Sequence, residues 1–195
     1  MNIDREIEQL KKNIKEIYFG TCKQIKENIY RGHKRSISTD IEDNIDLFIS
    51  AILPNDYKFF LDSTIRIEKK SHRPDLLIID GNDNVTALIE IKANMGWCRN
   101  ANEVINKLID TDKLFKNKTK LCCKLSEENS RIVYYGNNVK LFLVSLTTGN
   151  CKKYYRKNNK EYAQSFNIFH FNLFEEWYDS LKNYEIYNFV DKIFH

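Results

Sequence analysis

The sequence is poor in the features that mark fibrous, disordered, disulfide-linked and membrane-spanning proteins. Its 195 residues include only six glycines and two prolines, too few for a collagen-like or low-complexity chain. The five cysteines are odd in number and irregularly spaced, so we expect neither a disulfide framework nor structural zinc, and we expect a reducing cytoplasm as the location. No apolar run approaches the length of a membrane helix and no signal peptide follows Met1, so neither membrane insertion nor secretion is expected.

The composition indicates a folded domain. The chain is 42% hydrophobic and 13% aromatic, and a chain of this length buries roughly 70% of its unfolded surface. Apolar residues spaced by three or four positions predict a helix over residues 3–18. The residues of that seam are Ile3, Ile7, Leu10, Ile14 and Ile17. We expect this helix to pack on its own domain, although a narrow seam would also suit a dimer interface.

The apolar pattern predicts a mixed α/β chain. A helix over residues 41–53 follows Asp40 as N-cap and ends at Pro54. The other predicted elements are a helix over about 21–30, strands over Thr64–Lys69, Pro74–Asp80, Val85–Lys92 and Val139–Leu146, a helix over about 100–115, and a helix from Leu173 with Phe174, Trp177, Tyr178 and Leu181 on one face. This order predicts an α/β (α+β) fold with one mixed sheet of about four to five strands flanked by helices.

The second and third predicted strands form a hairpin, because four turn-forming residues at positions 81–84 separate them. With the turn centred on Asn82-Asp83, Asp75 lies directly opposite Glu90, with their Cβ atoms roughly 5 Å apart, and Lys92 follows on the same face. A three-residue loop or a bulge would instead turn Asp75 to the opposite face.

Two opposed carboxylates repel each other, and near an apolar core each raises the pKa of the other unless a cation lies between them. Hard oxygen ligands suit Mg²⁺, which accepts one or two protein carboxylates and keeps several waters. Such an ion would activate a water and stabilise charge on a phosphate, and Lys92 would orient the water or neutralise the phosphate. The structural alternative is a same-face ion pair between Glu90 and Lys92, with Asp75 as a turn acid after Pro74.

These residues carry a resemblance to a known family. Pro74-Asp75, then fourteen residues, then Glu90-Ile91-Lys92 resembles the signature of the PD-(D/E)xK nuclease superfamily. The resemblance covers about residues 40–147 and implies a restriction-endonuclease-like core. It also implies that Asp75 and Glu90 bind a metal through their side chains and Ile91 through its carbonyl, and that Lys92 is the catalytic lysine.

The family often adds an acidic residue from the helix that precedes the strands. The resemblance assigns this catalytic role to Glu42, with Asp46 one turn later as the alternative. Acids in a first helical turn are also common as capping or dipole-complementing residues, so the role of Glu42 stays open at this point. The chain therefore divides into an N-terminal helical extension (1–39), a nuclease core (40–147) and a C-terminal basic and aromatic segment with helices (148–195), all in one globular unit.

Basic residues are concentrated in three segments although the net charge is only +4. Residues 64–73 carry +3, residues 113–124 contain five lysines and no acid, and residues 151–160 contain five basic residues, two tyrosines and no acid. Clustered cations beside a metal site suit a polyanionic backbone, although each cluster alone could be a solvated loop. The predicted DNA-binding residues are Arg66, Lys69, Lys70, Arg73, Lys152, Lys153, Arg156 and Lys157.

Together these features predict an enzyme, a Mg²⁺-dependent endonuclease that cuts double-stranded DNA, with Mn²⁺ able to substitute. A small chain with long flanks looks most like a type II restriction endonuclease, which acts on a palindromic duplex as a homodimer. A structure-selective nuclease, such as a junction resolvase or a repair enzyme, is the enzymatic alternative. A non-catalytic DNA-binding protein on the same fold is the alternative of another class.

Overall fold

The structure is a computed structural model of the chain and describes residues 2–22, 38–67, 70–94, 101–117, 120–124, 130–148, 151–175 and 180–195. The predicted helix over 21–30 lies almost wholly outside these residues. Within them, no helix combines the length and the apolar character that crossing a membrane requires.

Five helices and ten strands make up the described part of the chain. The helices are α1 (Ile3–Cys22), α2 (Ser38–Ile52), α3 (Asn102–Lys116), α4 (Lys153–Gln164) and α5 (Ile186–Phe194). The strands are β1 (Lys58–Leu61), β2 (Thr64–Ile67), β3 (Lys70–His72), β4 (Leu76–Ile79), β5 (Val85–Asn94), β6 (Lys120–Lys124), β7 (Ser130–Tyr134), β8 (Lys140–Thr147), β9 (Ile168–Glu175) and β10 (Lys182–Asn183).

A six-stranded mixed sheet in the order β1-β4-β5-β8-β9-β10 forms the centre of the fold. The strands β5, β8 and β9 run parallel, and the remaining pairs are antiparallel. Helices flank this sheet, as the sequence predicted, although it has more strands than expected. Because β5, β8 and β9 are parallel, their carboxyl ends meet at one edge of the sheet, where ligand sites of α/β proteins commonly lie.

The prediction of a single sheet was wrong, because the described residues of the first predicted strand, Thr64–Lys69, do not join the six-stranded sheet. These residues form β2, which belongs to a second, four-stranded sheet in the order β3-β2-β6-β7. Short strands alternate in the same way whichever sheet they join, so the alternation at Ile65 and Ile67 could not identify the partner strands.

The six-stranded sheet is covered on both faces, which explains why its central strands are apolar throughout. On one face, Ile78, Ile89 and Ile91 pack with the buried side chains of α1, α2 and α5. On the other face, Leu77 and Leu88 pack with α3, α4 and the second sheet. The seam of α1 is part of the first cluster, so this helix packs on its own domain.

The β4–β5 hairpin reaches the predicted register by an unexpected route. Its loop has three residues, since Asp80 pairs with Asn84 and Asp83 adopts a positive φ of 64°. A bulge at Thr86 then shifts the register back, and Leu76 lies opposite Ile89. Either irregularity alone would have turned Asp75 to the other face, but the two together cancel.

The prediction of a helix from Leu173 was wrong, because this segment begins in a strand. Phe174 lies in β9, not in a helix, and the helix begins later, at Ile186. Trp177 and Tyr178 lie outside the described residues. Strand β9 is buried between β8 and β10, so it carries apolar residues on both faces. In a short segment of this kind, the apolar pattern does not distinguish a buried strand from a helix, which is why the prediction failed.

Candidate active site

Three oxygens converge on one ammonium group at the carboxyl end of β5. Lys92 Nζ donates to Asp75 Oδ2 at 3.1 Å, to Glu90 Oε1 at 2.9 Å and to the carbonyl oxygen of Ile91 at 2.7 Å. These are the three oxygens that the sequence resemblance assigned to a metal. The structure thus brings together Asp75, Glu90, Ile91 and Lys92.

The backbone positions Asp75 directly. The peptide N–H of Ile91 donates to Asp75 Oδ2 at 2.7 Å, so the carboxylate just before β4 is held against the strand that carries the other residues. Glu90 is only 5% exposed, because it lies on the face of β5 that α3 covers. A buried carboxylate needs a compensating cation, and Lys92 supplies one.

The ion pairs fix the protonation state of Lys92. Burial lowers the pKa of its ammonium group, but the charges of Glu90 and Asp75 and their hydrogen bonds outweigh that effect and raise the pKa above its usual value. Lys92 is therefore a cation at neutral pH. In this state it can donate hydrogen bonds and neutralise negative charge, but it cannot accept a proton.

Helix α2 brings two further acids towards the same point. Burial, and next the charge of Asp75, raises the pKa of Glu42 to about 7. Burial also raises the pKa of Asp46 to about 8, with the charges of Asp43 and Asp75 as the next causes. The charge of Asp75 therefore raises the pKa of both Glu42 and Asp46, the two candidates for the acidic residue of this helix.

The two acids of α2 differ in their environment. Asp46 is 5% exposed, and its Oδ1 has no hydrogen-bond partner among the described residues, whereas Glu42 is half-buried. The raised pKa values follow first from burial and then from the neighbouring carboxylates, so a bound cation would lower them.

The donor set fits a hard divalent cation. Two carboxylates and one carbonyl already surround a monovalent cation, and oxygen donors of this kind are those that Mg²⁺ prefers. Within the described part of the chain, no three His, Cys, Asp or Glu side chains are grouped closely enough to hold an ion by themselves. The fit therefore depends on the Ile91 carbonyl as well as on the two acids.

Sequence reasoning missed two charged residues at the site. Lys107 of α3 donates to Glu90 Oε1 at 3.1 Å. Asp62, which follows β1 with a positive φ of 48°, contributes to the raised pKa values of both α2 acids. No sequence pattern links either residue to Glu90 or Asp75, because only the packing of α3 and β1 brings them close.

The predicted DNA-binding residues fall on two surfaces. Arg66 and Arg73 are exposed on or beside the second sheet, and Arg73 precedes the Pro74-Asp75 pair. Lys69 lies outside the described residues, and Lys70 belongs to β3. Arg73 is thus the predicted cation that the structure places next to the carboxylates.

The second surface is α4, which packs on β9. Lys152, Lys153 and Lys157 are exposed there. Arg156 instead turns inward, 3.7 Å from Glu175 and over the ring of Tyr184. Strand β9, on which α4 packs, is two strands from β5 and lies roughly 10 Å from it across the sheet.

No family model and no curated protein matches the chain. A solved structure does match: the cAAA-bound form of NucC from P. aeruginosa ATCC27853, with a TM-score of 0.56 and 8% sequence identity over 98% of this chain and 88% of the NucC chain. At this identity the likeness concerns the fold. It confirms the predicted fold class, a restriction-endonuclease-like fold with a mixed sheet flanked by helices.

Proposed function

We propose that the chain is a Mg²⁺-dependent endonuclease that hydrolyses phosphodiester bonds of double-stranded DNA. The observation that carries this proposal is the convergence of the Asp75, Glu90 and Ile91 oxygens on one cation, within a restriction-endonuclease-like fold. The finer proposal is a type II restriction enzyme that acts in the cytoplasm as a homodimer, since a palindromic duplex favours a two-fold symmetric protein.

Each residue of the site has a defined task in this proposal. Asp75, Glu90 and the Ile91 carbonyl would hold Mg²⁺, or Mn²⁺ in its place, and the ion would supply water activation and charge neutralisation at the phosphate. Lys92, whose ammonium group contacts these three oxygens in the structure, would leave them to the ion and donate a hydrogen bond to the attacking water or to the phosphate. Glu42 or Asp46 would add negative charge beside Asp75 on releasing its proton, and a bound cation would favour that release.

The cationic surfaces support a nucleic-acid substrate. Arg73 lies beside Pro74, and Lys152 and Lys153 follow the carboxyl end of β8, at the same sheet edge as Lys92. Cations around a carboxylate site neutralise the phosphates of the strand while the acids retain the metal.

Plasmid cleavage tests the proposal. We expect cleavage in Mg²⁺, and none in EDTA or for Asp75→Ala. We expect Lys92→Ala to reduce the cleavage rate about 10²- to 10³-fold, because it removes a donor that stabilises charge in the transition state. Asp191→Ala and Lys12→Ala, which change exposed residues away from the site, should cleave like the parent chain. Cleavage that persists in EDTA or in Asp75→Ala would contradict the mechanism.

The digestion products decide the finer proposal. Discrete fragments from plain duplex, with the same sequence at every end, would support a restriction enzyme. Cutting of branched DNA alone would instead identify a junction resolvase or repair type of nuclease. DNA binding that depends on neither divalent ions nor Lys92, with no cleavage, would identify a non-catalytic protein.

A further inference from the structure

Lys107 brings a second ammonium group to Glu90 from a different element. Its Nζ donates to Glu90 Oε1, the oxygen that also accepts from Lys92. The Lys107 side chain is 57% exposed, against 26% for Lys92. Lys92 is shared between Asp75 and Glu90, so Lys107 is the second cation for two carboxylates. It is also the more exposed of the two ammonium groups, so a phosphate can reach it from solvent.

A groove of about 650 Å³ opens beside this contact, between α3 and the segment that leads from β3 into β4. Glu90 and Lys107 are part of its lining, and so is Arg73 from the opposite wall. The Arg73 side chain is 63% exposed, and its Nε donates to the carbonyl oxygen of Asp62 at 2.8 Å. The same Nε lies 3.4 Å from the exposed carboxylate of Asp62, so a phosphate would compete with that ion pair for the guanidinium group. Exposed cations therefore lie on both walls of a groove that also contains a candidate metal ligand.

The floor of the groove is closed, because Leu88, Leu108 and Thr111 are buried there. The exposed amide of Asn106 provides an uncharged polar group at the surface. Two acids of α3, Glu103 and Asp110, also border the groove, so its charge is mixed and a free anion gains little there. A nucleic-acid strand can place successive phosphates on the cations of the two walls, which a small free anion cannot do.

We infer that this groove binds the phosphate backbone of the nucleic-acid strand next to the bond that is cut, with Lys107 and Arg73 as its cations. The inference rests on the proposed function and adds to it a substrate-binding residue, Lys107, on a helix outside the sequence motif. In this role Lys107 exchanges its contact with Glu90 for a phosphate when the strand enters the groove.

The test is duplex-DNA affinity as a function of salt, measured by fluorescence anisotropy in Ca²⁺ for Lys107→Ala, Lys107→Arg and the control Lys12→Ala. We expect Lys107→Ala to weaken binding roughly fivefold, the upper end for an exposed ion pair. We also expect it to reduce the slope of log affinity against log salt by about one, because one phosphate contact is lost. Lys107→Arg and Lys12→Ala should keep the parent slope, and thermal unfolding confirms that each variant is folded.

The outcomes separate this inference from the function on which it rests. A parent chain that neither binds nor cuts DNA overturns the proposed function. A parent chain that binds DNA, with Lys107→Ala at the same affinity and salt slope, overturns only the groove assignment. Loss of cleavage in Lys107→Ala without any change in binding also overturns it, because Lys107 would then act only by positioning Glu90.

Discussion

At the scale of single residues, the site is defined by an imbalance between buried acids and the cations available to them. Asp75 and Glu90 share Lys92, and Glu90 has Lys107 in addition. Asp46 has no such partner among the described residues, although it is almost fully buried. A buried acid without a cation destabilises the folded chain once it ionises, so stability alone does not explain an acid at this position.

Asp46 should therefore make the folded chain less stable as pH rises. The folded chain keeps the Asp46 proton up to about pH 8, whereas the unfolded chain releases it near 3.8. The stability that this proton binding provides is complete below pH 3.8 and is lost as pH rises through 8. In EDTA at pH 8 we expect Asp46→Asn to raise the free energy of unfolding by about 1–3 kcal/mol, allowing for relaxation around the carboxylate.

Denaturant unfolding at several pH values measures this effect. The gain from Asp46→Asn should grow between pH 4 and pH 8, while the exposed Asp191→Asn should show a small difference at every pH. A gain that is absent at pH 8, or as large at pH 4, would show that burial of the Asp46 charge does not limit stability.

At the scale of elements, the β4–β5 loop connects the two sheets. Asp83 accepts from Arg131 of β7 and from Lys58 of β1, and its carbonyl oxygen accepts the N–H of Tyr134. The second sheet, which leads through β3 to Arg73 and Pro74, is thus attached to the hairpin that carries the site. We infer that this loop helps to hold the groove between β3 and α3.

Asp83→Ala should lower the melting temperature at neutral pH, because alanine tolerates a positive φ poorly and makes neither ion pair. Asp83→Asn should have a smaller effect, since asparagine tolerates this conformation. Hydrogen bonds from Arg131, followed by those from Lys58, lower the pKa of Asp83 despite some desolvation, so its stabilising effect is present at neutral pH and lost in acid.

Thermal unfolding at pH 7 and at pH 3 checks this prediction, with the exposed Asn82→Ala as control. The parent chain and Asp83→Asn should differ at pH 7, and the difference should shrink as the pH falls below 3.8 towards the lowered pKa of Asp83. Equal melting temperatures for the parent and Asp83→Ala at pH 7 would mean that the loop does not connect the sheets.

The elements also show how far sequence reasoning reaches. The helix that became α2 and the β4–β5 hairpin were predictable, because periodicity and turn residues are local signals. The predicted cap was wrong, since α2 begins at Ser38 and Asp40 lies in its first turn. The register of Asp75 and Glu90 was predicted correctly, but only because the loop and the bulge at Thr86 cancel. The second sheet, β9 and the contact of Lys107 with Glu90 depend on long-range packing, and no local pattern encodes them.

At the scale of the whole molecule, the position of charge matters more than its total. The net charge is only +4, yet the basic N-terminus of α4 lies at the sheet edge where β5 and β8 end. Non-specific attraction to DNA depends on net charge, whereas a binding surface depends on where the cations lie. Two variants with the same net charge can separate these effects.

The double variant Lys152→Glu/Lys153→Glu makes the net charge zero, and so does Lys12→Glu/Lys15→Glu on α1. We expect the α4 variant to weaken duplex binding more than tenfold at moderate salt and to reduce the salt slope by about two, while the α1 variant stays close to the parent. Acids at a helix N-terminus interact favourably with the helix dipole, so the two substitutions should not unfold α4. Unfolding of α4 therefore does not explain the expected loss of DNA affinity. Equal losses in both variants would show that net charge alone attracts DNA and that α4 is not a binding surface.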